Sequence, residues 1–311
     1  MDLPQLRDDH VAHRPMIAVH ANPWPGGIAV FRSESEDGFE PLATLTRRAV
    51  IGALASTLWS GPVSRFDHGN SFEVSLLSGS LASVTDTALF NGANAFAIES
   101  SAGVWEVLQA GRAELVGPRR YRLSRLLRGQ RGTEWAMSPM VAAGARIVEL
   151  DQARELPIGI GDLGTPWNWR IGPSSRPVSD ERYEAAVFEP EGMGLRPFSP
   201  CHLIQPWKWA RTPGDYTIIW IRRSRDLAAD NWTTGDAPVA EESLSFAVEI
   251  LDGAAVKRSL TSATTSVVYT AAQQTADWGA PLGPGAMLAV RIFQISAVVG
   301  RGTPRIETLH F

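Results

Sequence analysis

Six arginines fall within thirteen residues: Arg119, Arg120, Arg122, Arg125, Arg128 and Arg131. A guanidinium is a planar fork of N–H donors that matches phosphate or carboxylate oxygens two at a time. The run ends in RGQRGTEW, where Gly129 and Gly132 supply turn positions and Glu134 precedes Trp135. Two chemistries follow on paper. The arginines could grip a phosphate, or they could pair with carboxylates of the protein while the glycines turn the chain. A phosphate-binding loop also needs a lysine, a Ser or Thr metal ligand and a following helix. None accompanies this stretch, so a turn with a basic rim is the expectation, with Arg128 and Arg131 paired to carboxylates and Glu134 part of the same element. Glu134 is also the one acid worth testing for glycoside hydrolysis, which needs two carboxylates across a cleft.

Other reactive types are scattered. His10 and His13 share an i, i+3 spacing but sit in a polar terminal stretch without a zinc-protease surround, and no metal site is expected. Asp67 and His68 form part of a catalytic-triad alphabet, yet no nucleophile on a GxSxG turn exists, and DHGN is turn chemistry. Cys201–His202 lies in SPCHLI at the entry to an apolar run and reads as a buried cysteine. GIGDLG, Gly159–Gly164, fits a dinucleotide spacing, but TPWNWR follows it and cannot open a helix toward a pyrophosphate. No cofactor is expected. Glu181, Glu184, Glu189 and Glu191 read as a solvated face.

Tryptophan is abundant, 11 against 4 tyrosines. Trp167-Asn168-Trp169 and Trp207-Lys208-Trp209 share one form, and i and i+2 residues of a strand point the same way. Each pair makes a double aromatic face, suited either to stacking on a sugar ring or to packing at a domain seam.

The elements that carry these residues read as strands. Gly (28) and Pro (21) recur throughout, and long helical periodicity is missing. Short apolar runs separated by turn clusters point to an all-β chain. They occur at Ile17–Val19, Ile28–Phe31, Ala49–Leu54, Phe72–Leu77, Ala95–Ile98, Trp105–Ala110, Ala113–Val116 and Arg146–Leu150. Val84–Asn91 and Leu123–Leu127 are the candidate helical exceptions. We expect a linker or tail over residues 1–14, a β-sandwich or barrel-like domain over 15–150, a Gly/Pro/Trp-rich connector over 151–194, and a second sandwich over 195–311. In the connector Tyr183–Phe188 is the clearest strand. The last part has Tyr216–Ile221, Ser245–Leu251, Ser266–Thr270 and Ala286–Ser296, with Phe246, Val248 and Ile250 on one face and Glu249 on the other. The Trp220 strand followed by MLAVRIFQIS is similar to fibronectin type III-like domains.

Bulk properties narrow the classes. In 311 residues the net charge is −4, which argues against a dedicated duplex-binding domain. One cysteine excludes an intrachain disulfide framework. No run of about 18 apolar residues occurs, so no membrane span is expected. MDLPQLRDDHVAHRPM lacks the apolar centre of a secretion signal.

Several blocks together resemble one family. YRLSRLLRGQRGTE is similar to a segment in the C-terminal part of large tail-tip proteins of siphophages and alphaproteobacterial gene transfer agents, called host specificity or baseplate megatron proteins. NPWPGGIAVFRS, AVIGALAS, NSFEVSLLSGSLASVTDTALFNGANAFAIES and WEVLQAGRAEL agree in order. LRPFSPCHL, IIWIRRSRDLAADNW and VRIFQISAVVGRG resemble the family's terminal fibronectin-like domain. The likeness runs over about residues 15–311. It implies a non-enzymatic structural protein of the virion tail tip, assembled in the bacterial cytoplasm. The implied form is a homotrimer contacting other baseplate and hub proteins, and a host surface glycan or receptor. The family's proteins are usually longer, with a hub portion and often a TIM-barrel-like domain. A carbohydrate-binding module, using the two Trp pairs, and a wall hydrolase, using Glu134, are the alternatives.

Overall fold

The computed structural model describes residues 1–204, 213–226 and 237–311. The chain is all-β and divides into two compact units, Met1–Gly194 and Leu195–Phe311.

The first unit opens with β1 (Ile28–Ser33) and β2 (Glu40–Leu45). Next come β3 (Ile51–Leu54), β4 (Phe66–Leu76), the short helix α1 (Asp86–Phe90), β5 (Ala95–Ser101), β6 (Val104–Gly117), β7 (Arg120–Leu127) and β8 (Arg146–Glu149). The six strands β3 to β8 close into an antiparallel barrel in the order β8-β3-β4-β7-β6-β5. Closure removes the open edges that a six-stranded sheet would otherwise present. Phe72, Val74 and Leu76 alternate with Glu73 and Ser75 along β4, and the first three enter the barrel core with Phe96, Ile98, Leu108 and Leu123. That period of two is why the sequence forms strands here.

The segments flanking the barrel in sequence build a four-stranded sheet, besides a two-residue pairing of Met16–Ile17 with Arg154–Glu155. β9 (Trp167–Pro173) lies between β1 and β10 (Glu184–Phe188), giving the order β10-β9-β1-β2. Residues 151–194 are therefore part of the first unit rather than a connector, because β9 pairs with β1 over six residues, Asn168–Pro173 against Ile28–Ser33. The segment 1–14, expected as a tail, also packs. Leu3 is only 2% exposed, and the Asp2 carboxylate accepts from the Glu191 and Met193 amides. Leu3 and Met16 cover Ala97, Trp105, Val107 and Val148, so this wall of the barrel is buried on both faces.

Three other expectations change. Trp105–Ala110 and Ala113–Val116 belong to one 14-residue strand, since Gly111 continues the ladder opposite Arg125 instead of turning. Leu123–Leu127 is strand, not helix, held by β4 and β6 on either side. The DHGN stretch is a bulge inside β4 rather than a connecting turn: the five residues Asp67 to Ser71 lie opposite only three of β7, Leu126 to Ser124. Val84–Asn91 does hold α1, where the Thr85 hydroxyl caps the Ala88 amide.

The second unit is a sandwich of two sheets on one core. β11 (Cys201–Ile204), β12 (Tyr216–Ile221) and β15 (Ser266–Tyr269) form the first sheet. β13 (Phe246–Asp252), β14 (Ala255–Ser262), β16 (Met287–Ser296) and β17 (Arg305–His310), with the two-residue strand Gly300–Arg301, form the second. Phe246, Val248 and Ile250 face the core, where Trp220 packs edge-on against Phe246 at 5.1 Å. Glu249 is on the other face, clasped by Arg291 and Arg301. A helix absent from the strand reading, α2 (Ala271–Trp278), is started by the Thr270–Gln273 capping box and stopped by Gly279 in the left-handed region.

Candidate functional site

The arginine-rich stretch resolves residue by residue into the first unit's own bonds. Leu123 and Leu126 both enter the barrel core, so β7 changes face at Arg125, whose φ is +56°. Arg125 is thereby turned out of the core face to which alternation would assign it. It pairs with Asp86 and lies 4.5 Å over the Phe66 ring. Arg128, on the same side as Leu126, turns inward. Its Nε and Nη2 donate to the two oxygens of Glu106 at 2.7 and 2.8 Å, and Nη1 donates to the Trp59 carbonyl at 2.7 Å. Both side chains of the ion pair are wholly buried, and Asp67 Oδ2 lies 3.9 Å away on the far side. Arg120 and Arg122 straddle Glu73 on the barrel's outer wall, and Arg119 donates to the Leu77 carbonyl.

The turn that follows is fastened to β6. Gly129 has φ +57° and its amide donates to Glu106 Oε1 at 3.1 Å. A side chain at Gly129 would come within 2.8 Å of the Glu134 backbone. Gly132 is also left-handed, as is Arg131. Thr133 Oγ1 donates to the Gln130 carbonyl and accepts the Val107 amide. Glu134 is half-buried and its carbonyl accepts the Met137 amide. Arg131, expected to meet a carboxylate, instead donates weakly to the Leu6 carbonyl at 3.4 Å, with Asp8 the acid in its field. The stretch is thus a folding element: its glycines make the turn and Arg128 anchors it.

The WNW face looks inward. Trp169 is 3% exposed, packs with Val19, Ile28, Val30 and Ile158, and its Nε1 donates to the Phe188 carbonyl. Trp167 donates to the Asp162 carbonyl, with the Arg32 guanidinium 4.2 Å over its ring. A sugar has no open face of Trp169 to stack on; the pair packs within the first unit. Trp207 and Trp209 lie outside the described residues.

The remaining candidates separate. GIGDLG is a turn closed by its own acid, since Asp162 Oδ2 accepts from the Gly159 amide and from Arg32, both at 2.7 Å. Asp67 points into the protein and accepts from the Gly69 and Asn70 amides, while the adjacent His68 is exposed, so the two do not form a catalytic pair. His13 contacts the Ile158 carbonyl. His202 is exposed with φ +47° beside half-buried Cys201. Glu181, Glu184, Glu189 and Glu191 are exposed. Among the described residues no three His, Cys, Asp or Glu are grouped to hold a metal ion, and no helix is long and apolar enough to cross a membrane. In the first unit, Met16, Trp105, Val148, Trp169, Phe188 and Arg146 line part of a mainly apolar groove of about 400 Å³.

One grouping went unread in the sequence. Ser78 Oγ lies 3.0 Å from His20 Nδ1, with Arg48 and Arg119 close enough to act on the imidazole. Four separate segments supply these residues, so no local motif signals them.

A family model described as Rcc01698-like, C-terminal matches residues 49–148, about a third of the chain. The match coincides with the closed barrel, β3 to β8. No curated protein matches the chain.

Proposed function

We propose that this chain is a structural component of a phage or gene transfer agent tail tip, acting in tail assembly and host-envelope contact rather than in catalysis. The observation that carries this reading is the fate of Tyr121–Glu134. This stretch bears the strongest likeness to tail-tip proteins, and its arginine and glycines are spent on a buried ion pair and a fixed turn. A segment used that way belongs to a building part, not to a ligand grip. The second unit fits the role as a fibronectin type III-like sandwich, in a homotrimer whose partners are other baseplate and hub proteins and a host glycan or receptor.

The deciding experiment is localisation in intact particles. Density at the distal tail tip that accepts the six-stranded barrel is the expected result. Particles whose tail-tip density holds no such barrel, while the chain is found elsewhere, overturn the reading. Peptidoglycan zymography addresses the hydrolase alternative: no clearing is expected, and clearing abolished by Glu134→Gln would reverse the assignment.

A further inference from the structure

We infer that His20, Ser78, Arg48 and Arg119 form a binding site for a tetrahedral oxyanion of the phosphate class. Backbone hydrogen bonds bring the four residues together. The Ala49 amide donates to the Val19 carbonyl at 2.8 Å, which sets Arg48 beside His20. The Leu76 amide donates to the Arg119 carbonyl at 2.9 Å, and Arg119 Nη1 returns to the Leu77 carbonyl at 2.7 Å, which sets that guanidinium beside Ser78. The Leu77 amide donates to Ile51, tying the same turn to the barrel. Trp24 backs Arg48 at 5.8 Å from its ring.

The charge at this place is uncompensated. Arg7, Arg32, Arg120, Arg122, Arg125 and Arg128 each meet a carboxylate. Among the described residues Arg48 and Arg119 meet none. Partial burial, then Arg48, then Arg119 depress the His20 pKa, and among the described residues no acid opposes them. The two guanidiniums are exposed and keep N–H donors for a ligand. The Ser78 hydroxyl and the neutral imidazole spend one donor on each other and leave one N–H or O–H for a ligand at the centre. Arginine forks with a hydroxyl are what a phosphate or sulfate takes, and local positive charge in a chain of net −4 selects for an anion. A phosphorylated lipid headgroup and a free phosphate both present this oxyanion.

The test is NMR of the His20 imidazole in the full chain, titrated with sodium sulfate against sodium chloride at equal ionic strength. The expected result is a saturable rise in the His20 pKa with sulfate alone, because a bound dianion favours imidazolium. Arg48→Ala and Arg119→Ala should each weaken sulfate binding by about tenfold, the worth of one charge-assisted hydrogen bond. Equal shifts with both salts, or Arg48→Ala binding like the parent, overturn the site. The Arg48 side chain holds no described backbone group, so its variant decides even where Arg119→Ala loosens the turn. Vesicles of phosphatidylcholine with and without phosphatidic acid separate the sources. Retention only with phosphatidic acid, abolished in both variants, assigns the headgroup; sulfate binding without retention assigns a soluble phosphate.

Discussion

Arg128 and Glu106 meet through two parallel hydrogen bonds, 2.7 and 2.8 Å, with neither side chain reaching solvent. Glu106 also accepts the Gly129 amide, so one carboxylate holds both the arginine and the turn after it. Removing one partner strands a buried charge, which costs far more than the pair contributes. Arg128→Ala and Glu106→Ala should each lower stability by about 3–5 kcal/mol. The double change Arg128→Met with Glu106→Leu should cost less than either single change. Urea denaturation of the four chains checks this; additive losses would show that the two side chains do not act as a unit.

Gly129 and Gly103 separate strain from crowding. Both have positive φ, +57° and +76°, but an added Cβ at Gly103 meets nothing within 4 Å. Gly103→Ala should cost about 1 kcal/mol, the left-handed penalty alone. Gly129→Ala adds a 2.8 Å approach to the Glu134 backbone and should cost clearly more, at or above the upper end of about 1–3 kcal/mol. Thermal midpoints that fall equally would remove the crowding argument.

Trp169→Ala should destabilise the first unit by about 3–5 kcal/mol, as removal of a large buried aromatic does. Trp167→Ala should cost less, because that ring is only half-buried and loses chiefly the Arg32 stacking and one indole hydrogen bond. Chemical denaturation reads both. A stable Trp169→Ala chain that has lost binding to a cell-surface glycan would restore the sugar-platform reading.

Glu149 gives the first unit a pH dependence. Burial first, then the neighbouring Asp151, raise its pKa from 4.5 to about 7. A carboxyl whose folded pKa is raised favours folding when protonated. Its contribution is full below 4.5 and is lost as pH rises through about 7. Glu149→Gln should flatten stability across that window and stabilise the chain above it. Denaturation midpoints on both sides of the window test this; an unchanged slope in the variant would place the titration elsewhere.

Period-two alternation marked most strands on its own. Phe246, Val248 and Ile250 turned to one core with Glu249 opposite, because successive side chains of a strand alternate faces regardless of which strands flank them. Gly129 and Gly132 announced a turn for an equally local reason. Nothing local could name the partner of Arg128 among 33 acids, or show that Arg125 leaves the core face, since a φ of +56° follows from how β7 is held between β4 and β6. The pairing of Asn168–Pro173 with Ile28–Ser33 joins segments far apart in the chain and moved the connector and the tail into the first unit. The His20, Ser78, Arg48 and Arg119 neighbourhood exists only because hydrogen bonds between distant segments bring them together. Composition and periodicity thus determined the all-β class and the faces of the regularly alternating strands. Register, ion-pair partners and the cationic cluster were decided by tertiary structure, because each depends on contacts between residues remote in sequence.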